Sequence, residues 1–249
     1  MYRIAYSAVG HFFAIGEANR LHYLRCGVSA NKITYARYCV TDRWTGINDP
    51  KRLLVRAQVR KELGIDDHRQ VLLFSGKLQY KKNPECIIEA LMLMSEEAMR
   101  RFAIVYMGSG ECNDELRRLA YNVPHVPVIF IGFKNQLELE KYYLCGDVLI
   151  LPSRQMGETW GLVVNEALLA GLRVVVSRHV GCVGDFGHFP SVRVFDGTPE
   201  GLAIVLSDLP DRSAVEQNRK LLEDYSVSRA AEAIVRRGQW ERIVHRTIV

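Results

Sequence analysis

Two glutamates, Glu158 and Glu166, stand eight residues apart in "GETWGLVVNE", on either side of a Trp160-Gly161 bend. Carboxylates placed this way can accept hydrogen bonds from several hydroxyls of one polyhydroxylated ligand. The run "LVVNEALLAG" after Gly161 reads as an apolar helix whose one face must be buried. A helix start offers N–H groups without intrahelical partners and the positive end of the dipole, a place suited to an anion. Glu166 falls about one and a half turns into that helix, near enough to meet hydroxyls of the same ligand. Exposed charge on a helix face is the plain alternative for such a pair.

A second group lies in "SGKLQYKKNP", where Gly76 is followed by Lys77, Lys81 and Lys82. A glycine lets backbone approach a ligand, and cations there can neutralise a diphosphate so that it becomes a good leaving group. A solvated lysine turn is the other reading. Gly108-Ser109-Gly110 is a tight turn, with or without a ligand above it. Gly132-Phe133-Lys134 would expose backbone groups able to read the edge of a base.

Other chemistries lack their residues. There is no Gly-x4-Gly-Lys-Ser/Thr, no Gly-x-Ser-x-Gly and no His-Glu-x-x-His, and position 113, where a dinucleotide fingerprint needs its third glycine, is Asn. The six cysteines form no Cys-x-x-Cys pair, and the seven histidines do not cluster, so no metal site is expected. The cysteines read as reduced buried thiols of a cytosolic protein. A net charge of +5 suits a phosphate-bearing ligand or an anionic surface and is too small to argue for nucleic acid. No apolar run approaches the ~20 residues of a membrane span, and the first residues do not read as a secretory signal.

These residues need elements to hold them. Short β-branched or leucine-rich runs predict strands at Val71–Ser75, Ala103–Met107, Val128–Ile131, Asp147–Leu151, Arg173–Ser177 and Val192–Phe195. Helical patterns at Pro84–Met94, Asn113–Tyr121, Gln136–Leu144 and Gly161–Ala170 lie between them. Such alternation over 49–210 predicts an α/β, doubly wound Rossmann-like parallel sheet, with ligands at the carboxyl ends of its strands. Each turn described above follows one of those strands. Residues 1–48 hold a helix in "GEANRLHYLRCG", stopped at Gly27, and a strand in "KITYARYCV". That is too little for a core and reads as the tail of a larger domain. Residues 211–249 read as C-terminal helices, with Ala231, Ile234, Trp240 and Ile243 on a side expected to dock on the body. Membrane contact is the minor alternative for that side.

Taken in order, "FSGKLQYKKNP", "VYMGSGE", "VIFIGFKNQLELEKYYLCGDVLILPS", "ETWGLVVNEALLAGLRVVVS" and "VGC" resemble the motifs of glycosyltransferase family 4, the retaining GT-B enzymes. The Glu-x7-Glu element is the most specific of them. "AIGEANRLHYLRCGV" is similar to the last helix of that family's N-terminal half. The resemblance implies that this chain is the C-terminal, donor-binding half of a GT-B fold, with the N-terminal acceptor domain largely missing.

It also implies roles. Glu166 would hold the ribose hydroxyls and Glu158 those of the donor sugar. The N–H groups of Gly161, Leu162 and Val163 would hold the diphosphate or sugar, and Lys77 and Lys82 would stabilise the leaving diphosphate. The Phe133-Lys134 loop would lie against the base. Gly76, Gly108, Ser153 and Trp160 complete the expected donor site, with Lys77, Lys82 and Glu158 at the reacting centre. Lys77 stands where the family usually has Arg, which keeps the charge and loses the bidentate fork.

The function expected from the resemblance is retaining hexosyl transfer from a nucleotide-diphosphate sugar, through front-face attack, with no cofactor. The partners expected are a UDP- or GDP-sugar and a glycan or lipid-linked acceptor, in the cytoplasm or at the inner face of the cell membrane, with no nucleic acid. A fragment that binds the donor without transferring it is the first alternative. A sugar-nucleotide epimerase is the second, and the Glu-x7-Glu context speaks against it.

Overall fold

The computed structural model describes residues 2–247 except Thr45, Asn48 and Met156, with side chains through residue 237. In chain order its elements begin with α1 (Tyr2–Ser7), β1 (Phe12–Ala14), α2 (Glu17–Arg25), β2 (Ile33–Tyr35), α3 (Asp49–Glu62) and β3 (Gln70–Ser75). There follow α4 (Cys86–Met92), α5 (Glu96–Met99), β4 (Phe102–Met107), α6 (Asn113–Ala120), β5 (Val128–Gly132), α7 (Leu139–Cys145) and β6 (Val148–Leu151). The chain closes with α8 (Leu162–Ala170), β7 (Arg173–Ser177), α9 (Val183–Phe186), β8 (Val192–Phe195), α10 (Pro199–Ser207), α11 (Ala214–Leu222) and α12 (Val227–Thr247).

The chain divides into two compact units, 42–219 and 1–41 with 220–249. The bounds expected from periodicity lie at 48/49 and 210/211. Residues 42–48 and 211–219 go with the larger unit, where Arg52 donates to the carbonyl of Trp44 and Arg212 pairs with Asp147.

In the larger unit six parallel strands form one sheet in the order β5-β4-β3-β6-β7-β8. All six expected strands are present, and the fold is the α/β parallel sheet expected. Val71, Leu72, Leu73 and Phe74 are fully buried, as a strand covered on both faces requires. Leu72 and Phe74 face a core with Ile104, Tyr106 and Ile150, closed by Ile87 of α4 and Leu202 of α10. Each such side chain contributes about 1.5–3 kcal/mol by leaving water. The alternate residue Ser75 faces the opposite layer, where α7 packs against α3 and α8.

The strand order decides where a ligand can sit. The chain winds outward from β3 to β5, then crosses back to β6 and winds the other way. The reversal lies between β3 and β6, which pair at Leu72↔Val148 and Leu73↔Leu149. A crevice opens at the carboxyl ends of strands at such a switch point. The lysine turn follows β3 and the glutamate loop follows β6, so topology makes neighbours of segments about 80 residues apart.

In the smaller unit β1 and β2 pair in parallel, Phe12 opposite Ile33. The expected strand "KITYARYCV" is regular only over Ile33–Tyr35. Phe12 packs on Tyr6 and Tyr23 with ring centroids 5.2 and 4.8 Å apart. Gly27, just past the end of α2, takes φ 87°, as a helix stop does. The described part of the α12 face expected to dock does not: Ala231 is exposed and Ile234 is 51% exposed. Ala230, Glu232, Ala233 and Arg237 are the half-buried positions instead, with Glu232 paired to Arg229 and Arg236. Neutralised charge can take the inner side that hydropathy alone assigns to apolar residues. The side chains of Trp240 and Ile243 lie outside the described residues.

Candidate functional site

Three turns lie side by side at the carboxyl edge of the sheet. The N–H of Gly76, after β3, donates to Met107 O at 2.9 Å, and that of Gly108, after β4, donates to Gly132 O at 2.9 Å. A Cβ on Gly108 would stand 1.8 Å from the carbonyl oxygen of Gly76. That glycine is therefore required for the turns to meet, whatever lies above them. Lys77 is exposed and forms no ion pair with the described residues. Lys82 is half-buried and pairs through Nζ with Glu158 Oε2, the two side chains being 17% and 20% exposed. Lys81 holds this arrangement by its backbone, its carbonyl accepting from Arg154 N at 3.0 Å.

The loop that carries Glu158 is fixed from below. Trp160 is 4% exposed, donates from its indole N–H to Asn165 Oδ1 at 2.9 Å and packs edge-on against Phe186 at 5.9 Å. The Trp160 side chain thus anchors the loop to the core. The segment after β7 clamps the same loop: Gly181 N donates to Glu158 O at 3.2 Å and Cys182 N to Trp160 O at 3.1 Å. Ser153, at the end of β6, is fully buried, and its Oγ has no partner among the described residues.

Gly161 precedes α8 with φ 100° and ψ 60°, a left-handed conformation that favours glycine. A Cβ there would also come within 2.9 Å of Leu151 Cδ2. No side chain caps α8. Leu162 is 43% exposed and Val163 half-buried, so the first-turn N–H groups stand at an open, dipole-positive end.

Glu166 is 8% exposed. Its Oε2 accepts a 2.6 Å hydrogen bond from the hydroxyl of Tyr143 on α7. Tyr143 is fully buried. Trp44 packs edge-on against it at 5.5 Å. Burial pushes the Glu166 carboxyl up from its ordinary value, while Tyr143 and the charge of Arg43 pull it part of the way back. At the end of β5, Phe133 is 76% exposed, and the Lys134 Nζ lies 5.5 Å from the centre of the Tyr142 ring.

The structure brings Lys82 and Glu158 into contact and ties Glu166 to Tyr143 on α7. Tyr143, Trp44 and Arg43 escape sequence reasoning. A tyrosine within "LEKYYLC" reads as core, and its carboxylate partner lies 23 residues away. In chemical terms the crevice offers cations and helix N–H groups for an anionic centre and two carboxylates for flanking hydroxyls. Among the described residues, no group of three or more His, Cys, Asp or Glu side chains is placed to hold a metal, and no helix is long and apolar enough to cross a membrane.

A family model described as glycosyl transferases group 1 matches residues 55–207. An uncharacterized glycosyltransferase of Methanocaldococcus jannaschii is 32% identical over 196 residues, 76% of this chain and 46% of that protein. A D-inositol 3-phosphate glycosyltransferase of Corynebacterium jeikeium is 32% identical over 126 residues, 48% of this chain and 30% of that protein. The chain thus spans less than half the length of either relative. Among solved structures, Anabaena HepE in complex with UDP superposes with a TM-score of 0.76 at 16% identity, covering 96% of this chain and 66% of HepE. That likeness shows the fold.

Proposed function

The chain belongs to the group 1 glycosyltransferases, and on that premise we propose that it forms the donor-binding half of a retaining hexosyltransferase. The donor is a UDP- or GDP-sugar and the acceptor a glycan or lipid-linked glycan. One observation carries this reading: at the β3/β6 switch point, Glu158 of the Lys82–Glu158 pair lies against Gly161 at the uncapped start of α8, and Glu166 of α8 is held by Tyr143 of α7. A nucleotide-diphosphate sugar has the matching order of groups, a ribose, a diphosphate and a sugar.

Glu166 accepts from the ribose hydroxyls. The first-turn N–H groups of α8, with Lys77 and Lys82, hold the diphosphate. Lys82 and Glu158 neutralise each other in the ligand-free chain. An arriving diphosphate draws Lys82 away and leaves Glu158 for the hydroxyls of the sugar. The acceptor hydroxyl attacks the anomeric carbon on the face the diphosphate is leaving. A departing phosphate oxygen takes the acceptor proton, and the lysines stabilise the charge that develops. These steps use positioning and charge, with no metal or cofactor. The HepE structure, which has UDP bound in the same fold, supports a uridine nucleotide.

A second reading has one observation in its favour. The chain covers 46% of the M. jannaschii relative. On that reading these residues bind the donor, and transfer needs a second wall to the acceptor cleft.

Thermal shift against UDP, GDP, ADP and their sugars tests the donor site. A ligand at a hundred times its Kd stabilises by about 2.7 kcal/mol, which raises the Tm of a domain this size by roughly 5–10 °C. The absence of any shift removes the proposal. Incubation with labelled sugar nucleotide and lipid-linked acceptors then separates transfer from binding alone.

A further inference from the structure

We infer that Tyr143 is a positioning residue of the donor site: it fixes the orientation of the Glu166 carboxylate so that the ribose hydroxyls meet Oε1 while Oε2 stays with the protein. The inference rests on the ribose role proposed for Glu166 and goes on to say what makes that role specific.

The geometry is built from two helices packed against each other. Tyr143 lies on α7, fully buried, and its hydroxyl donates to Glu166 Oε2 at 2.6 Å. Glu166 lies on α8, the helix whose open start faces the crevice. A phenol has one proton to give. With the phenol proton on Glu166 Oε2, the bond has a single direction, toward the carboxylate.

The rotamer of Tyr143 is locked as well. Trp44, 1% exposed, packs edge-on against the ring and is itself held by its indole N–H, which donates to Glu140 O at 3.2 Å. A carboxylate on a flexible stem has many orientations, and each one lost before binding is one that the ligand need not freeze. Tyr143 removes that freedom, and the carboxylate oxygen that keeps bonding capacity is the one left to a vicinal diol. The same support is expected to discriminate ribose from a sugar lacking those hydroxyls, because the carboxylate cannot turn to find another partner.

The test uses the whole chain, with UDP and 2′,3′-dideoxy-UDP titrated calorimetrically against the unmodified protein and three variants. Tyr143→Phe keeps the ring and its packing and removes the hydroxyl. It is expected to weaken UDP about tenfold and to leave dideoxy-UDP unchanged, since that ligand never used the oriented carboxylate. Trp44→Phe, which leaves Tyr143 in place and loosens its ring, should weaken UDP two- to threefold with the same selectivity, and it serves if Tyr143→Phe folds poorly. Glu166→Gln should also weaken UDP and spare the dideoxy analogue.

Equal losses for UDP and dideoxy-UDP in Tyr143→Phe would mean a general packing role and overturn the inference. Unchanged UDP affinity in that variant would do the same. Glu166→Gln with undiminished UDP affinity would instead overturn the ribose assignment itself, and no UDP binding by the unmodified chain would overturn both.

Discussion

Glu166 keeps a carboxylate where water is scarce, and pH exposes what that does to the fold. Burial raises its proton affinity above that of the unfolded chain, and Tyr143 and Arg43 only partly offset this. Between the unfolded and folded values the native state binds more protons than the unfolded state, so stability falls as pH rises through that window. Glu166→Gln removes the titration and keeps the shape. Its Tm should exceed that of the unmodified chain by about 2–4 °C at pH 8, in the range expected when a functional strain is relieved. The gain should shrink toward acid, as the glutamate takes up its proton in both states. Scanning fluorimetry from pH 4 to 8 reads this, and a gain that grows toward acid would contradict it.

Lys82 makes the opposite case. It and Glu158 keep about a sixth to a fifth of their side chains exposed, so water can solvate whichever partner is left. Loss of the pair should change stability by no more than about 1 kcal/mol. In a protein that carries both halves, Lys82→Ala should lower turnover about a hundredfold, the scale of losing one charge-stabilising donor. Parallel kinetics and denaturation check the contrast.

The elements are held from the end of the sheet away from the crevice. Asp147, just before β6, accepts from the N–H of Val71 on β3 at 2.8 Å and pairs with Arg56 at 2.7 Å and Arg60 at 2.5 Å on α3, and with Arg212. One carboxylate therefore ties α3 to the amino ends of the two strands that flank the switch point. Arg60 is 1% exposed, and burial lowers its pKa to about 10. Asp147→Asn leaves that guanidinium buried with no carboxylate and should cost about 3–5 kcal/mol. Urea denaturation measures the loss, and UDP affinity of the folded fraction should be unchanged because the clamp is remote from the ligand.

This clamp also explains what the sequence hides. The strands are legible because burial on both faces leaves runs such as "VLLF" and "VLIL". Helix α3 is not, since half of its residues are charged and its arginines find their acid about ninety residues later. The same holds in the crevice. Lysines and glutamates show themselves by type and spacing, whereas Tyr143 looks like any core tyrosine until α7 is laid against α8. Pairings between distant elements are set by topology, and composition carries no trace of them.

At the scale of the molecule, the site residues all fall within 42–219, while α12 belongs to the other compact unit. A ligand stabilises what it binds, and only the part whose unfolding releases it. UDP at a hundred times its Kd should slow by about a hundredfold the exchange of amides that open through unfolding of the larger unit. The core strands are the place to look, above all β3 and β6, whose carboxyl ends carry the lysine turn and the glutamate loop. Amides of α12 and of the β1–β2 pair should exchange at the same rate with and without UDP. Hydrogen exchange read by mass spectrometry resolves the two sets. Uniform slowing across both units would mean that they open as one cooperative body, and the donor site would then be coupled to the whole chain.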